Sequence, residues 1–372
     1  MIADLMKSLY HLRTPPIAGS AFFEGCIEEI ETYSIAAQVY QLLRDTDTLD
    51  RVPEFFRNYV SRKHEKTMFQ NLYIKHQQEV IFDALERADI GVIPLKGILF
   101  AERYFGHWSA RGSSDIDLLV AKEDVDRTIE CLRSLGYSGP ARYNPIHFHC
   151  VLWKETNHRE MPLNVEVHWG LVKERDSRMN VKDLWKHSVP VHEYQCIREL
   201  SVQNAFYAIC LHGANHRMDS YKYVLDIVQM VHRRGQDIDY PKLFTQAGDD
   251  GTARRIAAVL AYVYQQFPHL HQIKPLDARK WSLIPPGAIF SSWPILLLDR
   301  WSDRFRLLYD VVVPAREVAL WHLKDDSNVT ASNVYIRFYL RRMLRPVRKL
   351  VGGRGGRDQS AWSTTESGQN NG

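Results

Sequence analysis

A chain of 372 residues with 45% apolar side chains is long enough for two or three packed units, at about 100–200 residues per domain. A net charge of +4 is small for that length, so a nucleic-acid partner is not expected. The five cysteines, Cys26, Cys131, Cys150, Cys196 and Cys210, are odd in number and never paired as C-x-x-C. That spacing suits buried free thiols in a reducing compartment better than a disulfide frame or a zinc ribbon.

The N-terminal segment lacks the long apolar core of a secretory signal. The most apolar stretches, 256–264 and 294–298, are far shorter than the roughly 20 residues needed to cross a bilayer. A cytoplasmic location without a transmembrane segment is the expectation.

Residues 1–84 read as an N-terminal helical region: apolar residues recur at helical spacing over 30–43, and 55–85 holds neither Gly nor Pro. The texture then changes. GVIPL (91–95) is a short apolar run followed by Lys96-Gly97 and a helix-like stretch to Phe105. DIDLLV (115–120) is a compact strand. It leads into a helix over 123–135, with Val125, Ile129 and Leu132 on one face and Gly136 as the stop signal. Two further strands are predicted over 147–154 and 163–169, joined through the polar segment 156–162. The order strand, helix, strand, helix, strand, strand makes 85–172 a small mixed α/β unit. Residues 173–350 read as helical again, with breaks near Gly235, Pro241, Gly248 to Gly251 and Pro285 to Gly287, and 351–372 reads as a disordered Gly/Ser/Gln/Asn-rich tail. The fold class is therefore α+β: a small mixed sheet flanked by helical regions at both ends.

Asp115-Ile116-Asp117 places two carboxylates at i and i+2 of a strand, so both point to one face a few ångströms apart. Like charges that close raise each other's pKa, a cost that a divalent cation removes. Hard oxygen donors at this spacing suit Mg²⁺. Upstream, Lys96-Gly97 joins a strand to a helix, where glycine lets backbone approach a phosphate, and Arg111 and Ser114 stand just before the acid pair. Downstream, Glu166 alternates with Val165, Val167 and Trp169, and His168 falls on the same strand face as Glu166. Three carboxylates on neighbouring strands could hold two metal ions in the arrangement used for in-line displacement at phosphorus.

The run LKG, Y, R, SDIDLLV, a helix ending in LGY, then VEVHW resembles the uncharacterised nucleotidyltransferase family of bacterial proteins, within the polymerase-β-like nucleotidyltransferase superfamily. The matching positions are Gly97, Asp115, Asp117 and Glu166. The segment LHGANHRMDSYKYVLDIVQM, with His212, His216 and Asp226, also resembles a helical motif of that family. One departure is that Gly97 is followed by Ile98 where a Ser or Gly is usual, which leaves Lys96 as the candidate phosphate contact. Another is that the third acid is Glu.

The resemblance implies transfer of a nucleotidyl group from an NTP such as ATP to an unknown small-molecule, peptide or protein acceptor. Asp115, Asp117 and Glu166 would be catalytic and would hold Mg²⁺, two ions, with Mn²⁺ as a substitute. Lys96, Gly97, Arg111 and Ser114 would face nucleotide and phosphate, and His168, His212 and His216 the acceptor side. A phosphotransferase with the same metal site and a non-catalytic nucleotide sensor of the same fold are the alternatives.

Other signals are weaker. His212 and His216, at i and i+4, share a helical face but lack the glutamate of a zinc-protease motif. Residues 333–350 read as a basic amphipathic helix carrying Arg337, Arg341, Arg342, Arg345, Arg348 and Lys349. The chain has no phosphate-binding P-loop, no Rossmann glycine fingerprint and no serine-hydrolase elbow. Nothing in it speaks to oligomeric state.

Overall fold

The computed structural model describes residues 1–140, 143, 147–155, 162–191, 194–277, 288–290 and 294–314, with scattered positions up to Arg341. Three short helices, α1 (Ile2–Leu12), α2 (Ser20–Tyr33) and α3 (Ala36–Asp45), precede α4 (Glu54–Arg87), a single helix of 34 residues. The absence of Gly and Pro from that segment lets it run unbroken through the region where the sequence changes texture. It also joins two cores. Phe56 and Val60 near its start pack with α1, α2 and α3, whereas Ile74, Ile81, Phe82 and Leu85 near its end lie under the sheet.

The sheet is built from β1 (Val92–Pro94), β2 (Asp115–Val120), β3 (His149–Lys154) and β4 (Leu163–His168), in spatial order β1-β2-β4-β3. The two central strands, β2 and β4, are parallel, and each pairs antiparallel with its outer neighbour. Between β1 and β2 the chain makes α5 (Ile98–Phe100), which runs on into one π turn over Ala101–Phe105. Between β2 and β3 it makes α6 (Val125–Ser134), whose buried face is Val125, Thr128, Ile129 and Leu132. A small mixed sheet of four strands with helical regions at both ends matches the α+β fold class expected from the sequence. The connection 156–161 lies outside the described residues.

Alternation along the strands divides the sheet into two faces. Ile116, Leu118 and Val120 of β2, with Val165 and Val167 of β4 and Leu152 of β3, form the core against α4 and α6. The opposite face carries the polar positions and turns toward a helical layer.

That layer follows α7 (Val181–Lys186) and a two-stranded ribbon, β5 (Val189–Pro190) with β6 (Arg198–Glu199), where the sequence reads as helical. The β-branched Val189 and helix-incompatible Pro190 favour the extended ribbon, and Val92 of β1 extends the contact by bonding to Cys196. Then come α8 (Val202–Asn215), α9 (Tyr221–Arg234), α10 (Tyr240–Asp250), α11 (Ala253–Gln266), α12 (Leu270–Ile273) and α13 (Trp301–Val312). The breaks fall where the chain carries breakers: Gly235 follows α9, Pro241 enters α10, and Gly251 caps α10 at φ +73°.

Helices α8, α9 and α11 share one hydrophobic core with α1, α2 and α3, so the two helical ends of the chain pack on each other. All five cysteines are free, with Cys26, Cys150 and Cys210 buried. No helix among the described residues is long and apolar enough to cross a membrane. Of the basic segment 333–350, residues 334–341 are helical, while 342–350 and the tail lie outside the described residues.

Candidate active site

The parallel pairing of β2 with β4 brings the sequence motifs together. Its register sets Asp117 opposite Glu166 and Leu119 opposite His168. Asp115 and Asp117, two residues apart, share the face on which Glu166 and His168 project, and His149 joins them because it pairs with His168 across the β3–β4 ladder. These side chains floor a cavity of about 290 Å³, near the lower end of ligand-site sizes. The far wall is helical: α8 contributes His212, and α9 contributes Lys222 and Tyr223.

The floor is a compact charge cluster. His168 Nε2 lies 3.2 Å from Asp117 Oδ1 and 3.1 Å from Glu166 Oε2. Lys96 is delivered beside them by β1, whose end is held by the Leu95 N–H donating to the Asp117 carbonyl. The Lys96 ammonium donates to Asp115 Oδ2 at 3.4 Å and stands 3.2 Å from Asp117 Oδ2. Ser114 Oγ donates to the other oxygen of Asp115 at 3.1 Å. Only 1% of the Asp117 side chain is exposed, against 22% for Asp115 and 25% for Glu166, so Asp117 is the innermost carboxylate of the three.

Burial alone would raise the Glu166 carboxyl, but the hydrogen bond and charge of His168, with Lys96, hold it down at about 2. Burial likewise opposes the His168 imidazolium, yet its hydrogen bonds to Asp117 and Glu166 and their charges lift it to about 9. Burial also works against a charged Lys96, and the charges of Asp117, Asp115 and Glu166 overcome it and push its pKa up. The cluster thus balances its carboxylates with protons carried by His168 and Lys96.

These residues fit a divalent cation. One oxygen of buried Asp117, Oδ2, accepts no hydrogen bond in spite of the nearby ammonium. One donor atom each from Asp117, Glu166 and His168 lies within 4.8 Å of the other two. Two carboxylate oxygens and an imidazole nitrogen at that spacing are a donor set for a hard or borderline metal ion.

The loop that leads into Asp115 is clamped from two sides. From α4, the fully buried Asn71 donates through Nδ2 to the carbonyls of Trp108 and Arg111 at 2.7 and 2.8 Å, and its Oδ1 accepts from the Ser113 N–H at 3.1 Å. Gln70 adds a bond to the Ser113 carbonyl at 2.6 Å. From α9, Asp226 takes the guanidinium of Arg111 in two bonds. Arg111, expected to meet phosphate, therefore lines the cavity with its fork already engaged, and it lies over the ring of Phe100 at 5.4 Å.

A model of the family described as uncharacterised nucleotidyltransferase matches residues 25–268. The chain belongs to that family. No curated protein and no solved structure matches it. The matched span runs from α2 to the end of α11, so the sheet and the helices on both sides of the cavity are parts of the family's unit. Membership in a nucleotidyltransferase family supports a nucleotidyl-transfer role, and the carboxylates Asp115, Asp117 and Glu166 fall on one face of the sheet.

Of the other positions singled out in the sequence, Lys96, Ser114, His168, His212 and His216 also line this cavity. Gly97 does not. It backs the site at φ +86°, turning the chain between β1 and α5. His212 and His216 share a face as their spacing predicts, with ring centroids 4.6 Å apart, and Tyr223 stacks on His216 at 5.2 Å and 25°. Burial, then the charge of Lys96, pushes His212 well below its ordinary value, which leaves it neutral.

Sequence reasoning missed Lys222. Its side chain lines the cavity, where the charges of Asp226 and Asp115 favour the ammonium and those of Arg111 and Lys96 oppose it. Burial, then the charge of Arg111, lowers its pKa to about 7. The only signal was its place in the YKYVLDI helix start, which looks like any capped first turn.

Proposed function

We propose that the protein is a divalent-metal-dependent nucleotidyltransferase that moves a nucleotidyl group from an NTP to a hydroxyl-bearing acceptor and releases pyrophosphate. The observation that carries this reading is the register that sets Asp117 beside Glu166, with Asp115 on the same face, at the floor of an open cavity.

Asp115, Asp117 and Glu166 are the residues that would hold the metal, with the His168 imidazole at their edge. Bound there, a divalent ion would neutralise phosphate oxygens and acidify an oxygen attached to it. The acceptor oxygen forms a bond to the α-phosphorus as the bond between that phosphorus and the bridging oxygen to the β-phosphate breaks, and pyrophosphate carries the electron pair away. Glu166, the more exposed of the two paired carboxylates, would take the acceptor's proton. Lys96 sits against the acids and faces the charge that develops on the transferred phosphate.

The triphosphate needs a cation beyond the acid floor. Lys222 on the opposite wall supports that role, because an ammonium disfavoured by burial and by the charge of Arg111 gains when an anion enters. Arg111 is not available in the same way, since Asp226 already balances its charge. The neighbouring His216–Tyr223 stack offers a flat aromatic surface on the helical wall, suited to a planar group of donor or acceptor.

Pyrophosphate release from each NTP in the presence of Mg²⁺ or Mn²⁺ tests the reading. Asp117→Asn, which keeps the shape of the inner carboxylate and removes its charge, is expected to abolish the release. Unchanged release in that variant would refute the assignment.

A further inference from the structure

We propose that the cavity takes one divalent ion, ligated by Asp117, Glu166 and the imidazole of His168, and that the Lys96 ammonium occupies the second cation position beside Asp115. This rests on the reading of the cavity as a metal-dependent transfer site, but it revises that reading's metal-holding set by exchanging Asp115 for His168, and so departs from the two ions on three carboxylates expected from the sequence. Its consequence is a preference for Mn²⁺ over Mg²⁺.

The spacing of the donor atoms is the first argument. Neighbouring donors around an octahedral ion at a bond length of about 2.1 Å stand roughly 3.0 Å apart. His168 Nε2 is 3.1 Å from Glu166 Oε2 and 3.2 Å from Asp117 Oδ1, at or slightly above that edge length. The imidazole nitrogen is aimed between the two carboxylates and away from solvent, with the side chain only 9% exposed. An ion set between these side chains would find three donors already gathered.

Asp115 stands apart from this set. Its two oxygens are occupied by Ser114 and Lys96, and the Lys96 Nζ lies between Asp115 Oδ2 and Asp117 Oδ2, at 3.4 and 3.2 Å. A second ion bridging the acid pair would have to sit where this largely enclosed ammonium, 15% exposed, already sits. Two cations in one low-dielectric position repel strongly, so the ammonium supplies the positive charge in place of the second ion.

Replacing a carboxylate by an imidazole changes which metal is preferred. Mg²⁺ favours oxygen donors and holds its water tightly, whereas imidazole suits first-row transition ions. Mn²⁺ accepts both oxygen and nitrogen donors and is therefore the ion this mixed set fits.

The experiment uses the full chain without nucleotide and Mn²⁺ as the probe. An electron paramagnetic resonance titration counts bound ions, and pulsed measurements on the bound ion report any coordinated nitrogen. The expected result is one tightly bound Mn²⁺ per chain with a histidine nitrogen coupling, which shifts to the ¹⁵N pattern when the protein carries ¹⁵N-histidine. Mg²⁺ should displace it only at about tenfold or greater excess. His168→Gln should lose the coupling, and Lys96→Met should admit a second Mn²⁺. Two tight ions in the unaltered protein, no nitrogen coupling, or a count that stays at one in Lys96→Met would overturn the proposal.

The labelled, unsubstituted protein keeps the test valid if a variant does not fold. Nucleotidyl transfer by a protein with no nitrogen-coupled ion would leave the function standing and remove this inference. One nitrogen-coupled ion without transfer would do the reverse.

Discussion

Arg111 and Asp226 meet through two parallel bonds, Nε to Oδ1 at 2.7 Å and Nη2 to Oδ2 at 2.8 Å, with side chains 3% and 1% exposed. The pair fastens the loop before Asp115 to α9, so it connects the acid floor of the cavity to its helical wall. A buried pair of this kind is costly to break from one side, because the remaining charge has no solvent to turn to. Asp226→Asn is expected to lower unfolding free energy by about 3–5 kcal/mol in denaturant titrations, with a smaller loss in the double replacement Arg111→Met/Asp226→Leu. A single variant as stable as the native chain would show that the pair does not hold the two walls.

Lys222 predicts a pH dependence of donor binding. Its charge faces Arg111, Lys96, Asp115 and Asp226, with His212 and His216 across from it on α8 and Tyr223 beside it. An anion favours the charged amine, so NTP affinity should be high below about pH 7 and fall as the pH rises through that value, by up to roughly tenfold per unit. Lys222→Arg, which stays charged, should keep its affinity as the pH rises. Lys222→Met should bind weakly at every pH, by about 1.5–3 kcal/mol. Binding titrations with a non-hydrolysable NTP check this, and a pH profile identical in all three proteins would count against it.

Much of the site was open to reading along the chain because its parts are local. D-x-D on a strand and the alternation Val165, Glu166, Val167, His168 fix which side chains share a face, and the sheet reproduces both. What could not be read is long-range. Nothing in the chain's pattern pairs Arg111 with Asp226, 115 residues away, so Arg111 looked like a phosphate contact. Asn71 sits in a helical stretch where its polarity reads as surface, yet it is fully buried against the active-site loop. The two helical ends look like separate regions in sequence, but their apolar faces close one core. The short ribbon at Val189–Pro190 and Arg198–Glu199 was hidden because two residues per strand leave no period to detect.

Gly97 adopts φ +86° and ψ −135°, a conformation open to glycine and strained for any L side chain. An added Cβ would meet the Asp115 carbonyl and Ser113 Oγ only at 3.8 Å, so crowding is not the obstacle. Gly97→Ala should therefore cost about 1–3 kcal/mol of stability from backbone strain alone and should reduce turnover by displacing Lys96. Thermal unfolding and steady-state rates measured together check both halves.

Asn71 holds three backbone groups of the loop that delivers Asp115. Asn71→Ala would strand a buried N–H and weaken two carbonyl contacts, at about 1–3 kcal/mol for each group left unpaired. Because Asn71 is not among the residues that line the cavity, the loss of positioning should appear in kcat by about tenfold or more, with KM little changed. An effect confined to KM would place Asn71 in a binding role instead.

The central claim is that the carboxylate floor moves a nucleotidyl group. The most direct measurement incubates the protein with Mg²⁺ or Mn²⁺ and NTPs labelled at the α or the γ phosphate, with a cell extract as acceptor pool and the Asp115→Ala/Asp117→Ala protein as control. The account predicts label carried to an acceptor from the α position, pyrophosphate released in step, and neither in the control. Label carried only from the γ position, or tight NTP binding with no label moved from either, would contradict it.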